Sequence, residues 1–217
     1  MIWKIPYDTF LILEIMNLND KKIKELAEMA NNIRISIIEM LLEAGSGHTA
    51  GPLGMADIFT YLYFHELKHN PKDPEWQERD RLILSNGHIV PVRYATMAHA
   101  GYFSIDEALT LRKFGSRMQG HPERERIPAL ESTSGPLGSG LSQAAGIAYG
   151  ARMDGKKFRV HCLMSDGELD AGNSWEGAQF AGANRLSNLK RMVEKTQDWQ
   201  VEQVGRSMRK LAGLEKK

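Results

Sequence analysis

An α/β fold with a parallel sheet flanked by helices is what this 217-residue sequence predicts. Three observations carry that expectation. Apolar residues recur at helical spacing in several segments. Two short apolar runs, "RLILS" (Arg81–Ser85) and "FRVHCLM" (Phe158–Met164), read as buried strands. Helical patterns stand before, between and after them, and such alternation favours a layered parallel sheet.

The elements follow in order. Ile23, Leu26, Ala27, Ala30, Ile33, Ile37, Leu41 and Leu42 mark a helix from about Asp20 to Ala44, with Asn19 or Asp20 able to cap its start and Gly45 to end it. A second apolar helix covers Met55–Leu67 and gives way to the Pro-rich loop "HNPKDPEW". After the Arg81–Ser85 strand a helix runs through Val92–Ala100. Ser104 and Glu107 form an S-x-x-E capping box that opens a helix to about Phe114. Residues 115–140 carry Gly, Pro and Ser throughout and read as loop. Leu141–Arg152 is a helix rich in small residues, suited to close packing. A helix over Ser174–Asn184, which Asn173 is placed to cap, follows the second strand.

Both ends differ in character. "MIWKIPYDTFLILEIM" is apolar, but Lys4, Asp8 and Glu14 interrupt it, so it fits neither a bilayer span nor a signal peptide. Met16 offers a second start, and residues 1–15 are expected to be an extension of a domain over 16–189. Residues 190–217 have eight Lys or Arg against four acids, only loose apolar periodicity and a helical composition. A strand would be expected after Leu189, yet the sequence does not suggest one there, so a basic helical tail is the expectation.

Composition narrows the function. A hydrophobic fraction of 42% supports a sizeable core, and a formal charge of +1 without a basic–aromatic block argues against nucleic acid. The single cysteine, Cys162, excludes an internal disulfide and a cysteine-cluster zinc site, which fits a reducing cytoplasm.

Three of the seven histidines directly follow glycine: His48, His88 and His121. A Gly-His step in a loop can present an imidazole to a ligand, or it can simply be solvated. Three such steps, each at an element boundary, suggest a shared pocket. "TSGPLGSGLSQAAG" lacks the third glycine of a dinucleotide fingerprint and the lysine of a phosphate loop, leaving a structural turn or a backbone-lined ligand wall. Asp166-Gly167 stands where a parallel strand would end. Its aspartate is either a turn residue or a ligand for a hard cation that bridges to a diphosphate.

Five blocks then resemble, in order, the N-terminal part of transketolases: "EAGSGHTAGPLG", "RDRLILSNGH", "GSRMQGHPE", "TSGPLGSGLSQAAGIA" and "SDGELDAGNSWEGAQFAG". The resemblance implies the thiamine-diphosphate-binding fold in its diphosphate-binding domain, incomplete at the C-terminal end. It implies thiamine diphosphate with Mg²⁺ or Ca²⁺, and transfer of a two-carbon ketol unit between sugar phosphates. By position, Asp166 would be the metal ligand and Gly167 would lie against the diphosphate. His88 would contact the cofactor, Gly135, Pro136 and Leu137 would line its aminopyrimidine, and His48 and His121 would bind donor-sugar hydroxyls and assist proton transfer.

The departures are equally specific. The family's second metal ligand, an Asn about thirty residues after the Asp, falls here at Thr196, and a family Glu used between active sites is Ala171. The half carrying the glutamate that activates the cofactor does not follow. The resemblance therefore implies the N-terminal subunit of a split enzyme, assembling with a C-terminal subunit into an oligomer. A non-catalytic remnant or interaction module with a defective metal site is the alternative.

Overall fold

The computed structural model describes residues 18–194 and forms a three-stranded parallel sheet in the order β1-β2-β3, with helices on both faces. The strands are β1 (Arg81–Leu84), β2 (Val160–Ser165) and β3 (Leu189–Glu194). β2 is central, with Arg81 opposite Val160 on one side and Val160 opposite Leu189 on the other.

α1 (Asp20–Ala44) forms as its periodicity predicts. Asn19 caps it by accepting from the Lys22 N–H at 2.9 Å, and Gly45 stops it at φ 63°, a left-handed conformation that glycine adopts without a Cβ penalty. α2 (Ala50–Gly54) and α3 (Ala56–Tyr61) follow. The expected Met55–Leu67 helix is thus shorter, and it widens into a π-type turn over Leu62–Glu66. α4 (Val90–His99) starts earlier than its apolar pattern suggested because Pro91 occupies its first turn, where a missing N–H costs nothing.

Strand alternation divides the core in two. Leu82, Leu84 and Leu163 face one side and pack with Ile33, Ile37, Phe59, Tyr94 and Met97 from α1, α3 and α4. Ile83, Val160, Cys162 and Met164 face the other and pack on α6 (Gly140–Met153) through Leu141, Ala144, Ala145 and Ala148. Small side chains let α6 lie close to the sheet. They also admit α7 (Gly172–Ala183), where a Cβ on Gly177 would come within 2.8 Å of the Ser142 hydroxyl.

Three further sequence expectations need correction. The helix opened by Ser104 spans only Ile105–Ala108 (α5): Ser104 Oγ accepts from the Glu107 N–H at 3.1 Å, but the Glu107 carboxylate turns to Arg117 instead of completing the box. Asn173 lies inside α7, and Ala171 holds the cap position. Residues 190–194 are strand rather than helical tail. Leu189 and Met192 pack on the two opposite cores, and Lys190 Nζ reaches the Glu66 carboxylate at 2.9 Å. A charged, short edge strand is invisible to periodicity because its partners come from Glu66 and β2, far away in sequence. The remainder of the expected tail and the expected 1–15 extension lie outside the described residues. Among the described residues no helix is long and apolar enough to cross a membrane.

Candidate functional site

The site is built where β1 and β2 end. Parallel pairing with Leu84 opposite Leu163 brings the segment 85–88 and the segment 165–168 out at the same sheet edge, where open α/β sheets receive ligands. Each strand passes into a short 3-10 turn, Gly87–Ile89 after β1 and Asp166–Asp170 after β2. The loop ahead of α6 crosses between them. Gly140 makes that possible, since a Cβ there would stand 2.7 Å from Ser85 Cα.

A buried carboxylate ties these segments together. Glu168 is 0% exposed and accepts from Gly138 N–H at 2.7 Å, from Ser165 N–H at 2.8 Å and Oγ at 3.3 Å, and from Ser85 Oγ. Gly140 N–H in turn donates to Ser85 Oγ at 3.1 Å, and Ser174 Oγ donates to the Glu168 carbonyl at 2.6 Å. The sequence reading missed Glu168 and Ser85. One signal was there: Ser165-Asp166-Gly167-Glu168 is an S-x-x-E box, and here both reciprocal bonds form.

The three Gly-His steps converge. The His48 and His88 rings lie 5.0 Å apart, edge to face. His121 Cδ2 would stand 3.2 Å from a Cβ on Gly87 and 3.9 Å from one on Gly135, so its imidazole lies over both glycines. Gly87 therefore gives His121 room to sit beside His88. Burial lowers the His88 pKa from its ordinary value, and the neighbouring His48 and His121 lower it further against an opposing pull from Glu168. His88 is thus a neutral imidazole near pH 7, able to donate at one nitrogen and accept at the other. His48 and His121 are exposed, on the open side of the cluster. Arg112, held at φ 60°, packs its guanidinium within 2.9–3.1 Å of a Cβ position on Gly120 and 3.9 Å of one on Gly47. It bridges the loops that carry His121 and His48.

The other histidines stand apart. His99 pairs with Ser36 Oγ at 3.0 Å, and His69 pairs with Tyr102 OH at 2.9 Å. His65 is exposed, and His161 is buried in β2.

The remaining expected residues occupy the same edge. Pro136 and Leu137 are exposed and Gly135 half-buried; Leu137, at 49%, offers an apolar side chain to solvent where an aromatic ring could pack. Behind them Ser134 Oγ is buried without a hydrogen-bond partner among the described residues, a polar atom suited to a ligand's donor or acceptor. Asp166 is half-buried, and its Oδ1 accepts from the Gly167 N–H at 2.8 Å; Gly167 itself is exposed. This set fits thiamine diphosphate: an apolar and backbone wall for a ring, and a carboxylate beside an open glycine for a cation–diphosphate pair. Among the described residues no group of three His, Cys, Asp or Glu could hold a metal. A cation at Asp166 would take its other oxygens from diphosphate and water, a ligand set Mg²⁺ accepts. Thr196, at the second metal position, lies outside the described residues.

Comparison with known proteins converges on the same part of one family. A family profile described as the transketolase thiamine diphosphate binding domain matches residues 26–200. Human transketolase is 40% identical over 172 residues, which are 79% of this chain and 27% of that protein. The 6-deoxy-6-sulfo-D-fructose transketolase subunit SqwG of Clostridium sp. (strain MSTE9) is 39% identical over 165 residues, 76% of this chain and 60% of that one. The crystal structure of transketolase from Campylobacter jejuni superposes with a TM-score of 0.74 at 37% identity, covering 78% of this chain and 28% of that chain. The chain thus spans less than two thirds of the length of these relatives.

Proposed function

This chain belongs to the transketolase family, in its thiamine-diphosphate-binding part, and from that premise we propose that it is the diphosphate-binding subunit of a split transketolase. The observation that carries the reading is the convergence of Gly87-His88, the Ser134–Gly140 loop and Asp166-Gly167 at one sheet edge. SqwG, named as a subunit, aligns over three fifths of its length, which supports a two-chain arrangement.

In this reading Asp166 holds Mg²⁺ or Ca²⁺ against the diphosphate, and Gly167 leaves room for the phosphate oxygens. Gly135, Pro136 and Leu137 line the aminopyrimidine, and neutral His88 hydrogen-bonds the cofactor. When bound, thiamine diphosphate supplies the nucleophilic carbon and the electron sink for breaking and forming the carbon–carbon bond. The chain's share is orientation and proton handling. His48 and His121, on the open side of the cluster, bind the donor sugar's hydroxyls and move protons at those oxygens. The substrates are a ketose phosphate donor and an aldose phosphate acceptor. A C-terminal transketolase subunit completes the site in a larger oligomer.

A second reading, a remnant or interaction module with a defective metal site, is favoured by one observation: Asp166 stands without a cluster of metal-ligating side chains among the described residues. Calorimetric titration of the chain with thiamine diphosphate and Mg²⁺ separates the two. Micromolar, metal-dependent binding supports the subunit, whereas no heat at millimolar cofactor supports the remnant. Mixing the loaded chain with a C-terminal transketolase subunit then tests ketol transfer directly.

A further inference from the structure

We propose that Glu168 is a positioning residue, whose carboxylate sets the Ser134–Gly140 loop against the ends of β1 and β2 in the arrangement that receives thiamine diphosphate. The inference rests on the functional reading above and goes beyond it, because Glu168 is neither a metal ligand nor a wall of the cofactor site in that reading.

The donors that Glu168 gathers come from three separate segments: Ser85 after β1, Ser165 at the end of β2, and Gly138 in the crossing loop. Among the described residues it forms no ion pair, and it belongs to neither apolar cluster. An apolar side chain would fill the same space without the desolvation penalty of a buried acid. A carboxylate is useful there because its two oxygens can bind four donors that would otherwise be left unmatched at once.

Glu168 holds the loop from its inner side. Gly138 has φ 83° and points its N–H at Glu168, while a Cβ there would stand 2.8 Å from Ala171 Cβ. The two residues before it, Pro136 and Leu137, face solvent. The clasp thus fixes the backbone that carries the exposed wall, and through Ser165 it also fixes the turn that carries Asp166. Both halves of the expected cofactor site thus share one buried side chain as a hydrogen-bond anchor.

The test compares the wild-type chain with Glu168→Gln, Ser85→Ala and the double variant. An amide at position 168 brings an N–H₂ group into a ring of donors, so one of the bonds must break in either orientation. The first readout is amide hydrogen exchange without cofactor. Gly138 and Gly140 should exchange at least tenfold faster in Glu168→Gln, with Ile83 and Cys162 in the strands unchanged. The second is thiamine diphosphate affinity with Mg²⁺, which should fall at least tenfold, the double variant binding no more weakly than the weaker single variant. Uniform acceleration of exchange, or undisturbed protection at Gly138, overturns the proposal. So does unchanged affinity in a variant whose loop has loosened. If the wild-type chain itself binds no cofactor, the functional reading fails, and exchange alone then judges whether Glu168 holds the loop. Should Glu168→Gln not fold, Ser85→Ala gives both readouts.

Discussion

Ser85 and Glu168 stand 83 positions apart in the chain and share a buried hydrogen bond at the edge of the sheet. Ser85 Oγ is donor to the carboxylate and acceptor for Gly140 N–H, so one hydroxyl joins β1, the turn after β2 and the start of α6.

Ser85→Ala therefore strands two buried groups, the Gly140 N–H and one lone pair of Glu168. Leaving such groups unmatched costs about 1–3 kcal/mol each. Urea denaturation should show a loss within that range or somewhat above it. A change under about 0.5 kcal/mol would mean that the network contributes little to the fold.

Gly138→Ala places a Cβ against Ala171 and forces φ 83° on a residue that avoids it. The expected loss of stability is about 1–3 kcal/mol, from backbone strain before any contact is counted. Gly146→Ala, at a helix position with open space around it, should instead be neutral or stabilising by a few tenths to about 1 kcal/mol. Thermal melts of the pair check both signs.

Asp166→Asn removes a charge from a half-buried side chain whose one hydrogen bond among the described residues is accepted from the neighbouring Gly167 N–H. The fold should tolerate it, with a change within about 0.5 kcal/mol. Metal-dependent binding of thiamine diphosphate should weaken tenfold or more. Calorimetry at matched Mg²⁺ reads the second effect and a melting curve the first.

His161 is 1% exposed in β2, and neither ring nitrogen has a hydrogen-bond partner among the described residues. Burial, chiefly, and the nearby Arg159 and Lys190 push its pKa down to about 4, against the pull of Asp80 and Glu66. Between its ordinary pKa and that value the unfolded chain binds the proton and the fold does not. Stability is therefore full above about pH 6.5 and falls as the pH drops towards 4, by on the order of 3 kcal/mol. Asp80 behaves separately. Burial works to raise its carboxyl, but hydrogen bonds from Arg159 and the Lys68 N–H outweigh that and hold it below the ordinary range. Its contribution is lost only at lower pH. Denaturation midpoints measured from pH 7.5 to 4 should slope in the wild type and flatten in His161→Leu; an equal slope in both would assign the pH dependence to other groups.

Lys190→Ala removes one of the two cations that, among the described residues, pair with the buried Glu66 carboxylate, leaving Arg159. The expected loss is about 1–3 kcal/mol, since a buried acid then lacks part of its compensation. Faster exchange at the β3 amides should accompany it.

Much of this molecule is readable from sequence. α1 follows from its apolar stripe and the Asn19 and Gly45 caps, β1 and β2 from short apolar runs, and the candidate standing of the three Gly-His steps from glycine's lack of a Cβ, which admits close neighbours. Those are local properties, because periodicity and caps depend on residues within one or two turns. The shared pocket was suggested by repetition of the Gly-His step, and the fold then brought His48, His88 and His121 into one cluster.

What tertiary structure alone decided is non-local. β3 is a strand because β2 offers an open edge and Glu66 a partner for Lys190, although its own residues carry no strand pattern. α5 opens on a single cap bond because the Glu107 carboxylate finds Arg117 rather than the Ser104 N–H it could have closed on. Glu168, one letter in a loop, became a fully buried acid because three segments each delivered donors to the same point. Hydrogen bonds and ion pairs between distant segments are chosen by which groups the packed sheet and helices bring within about 3 Å of one another. Sequence determines which groups are available, and only packing determines which of them meet.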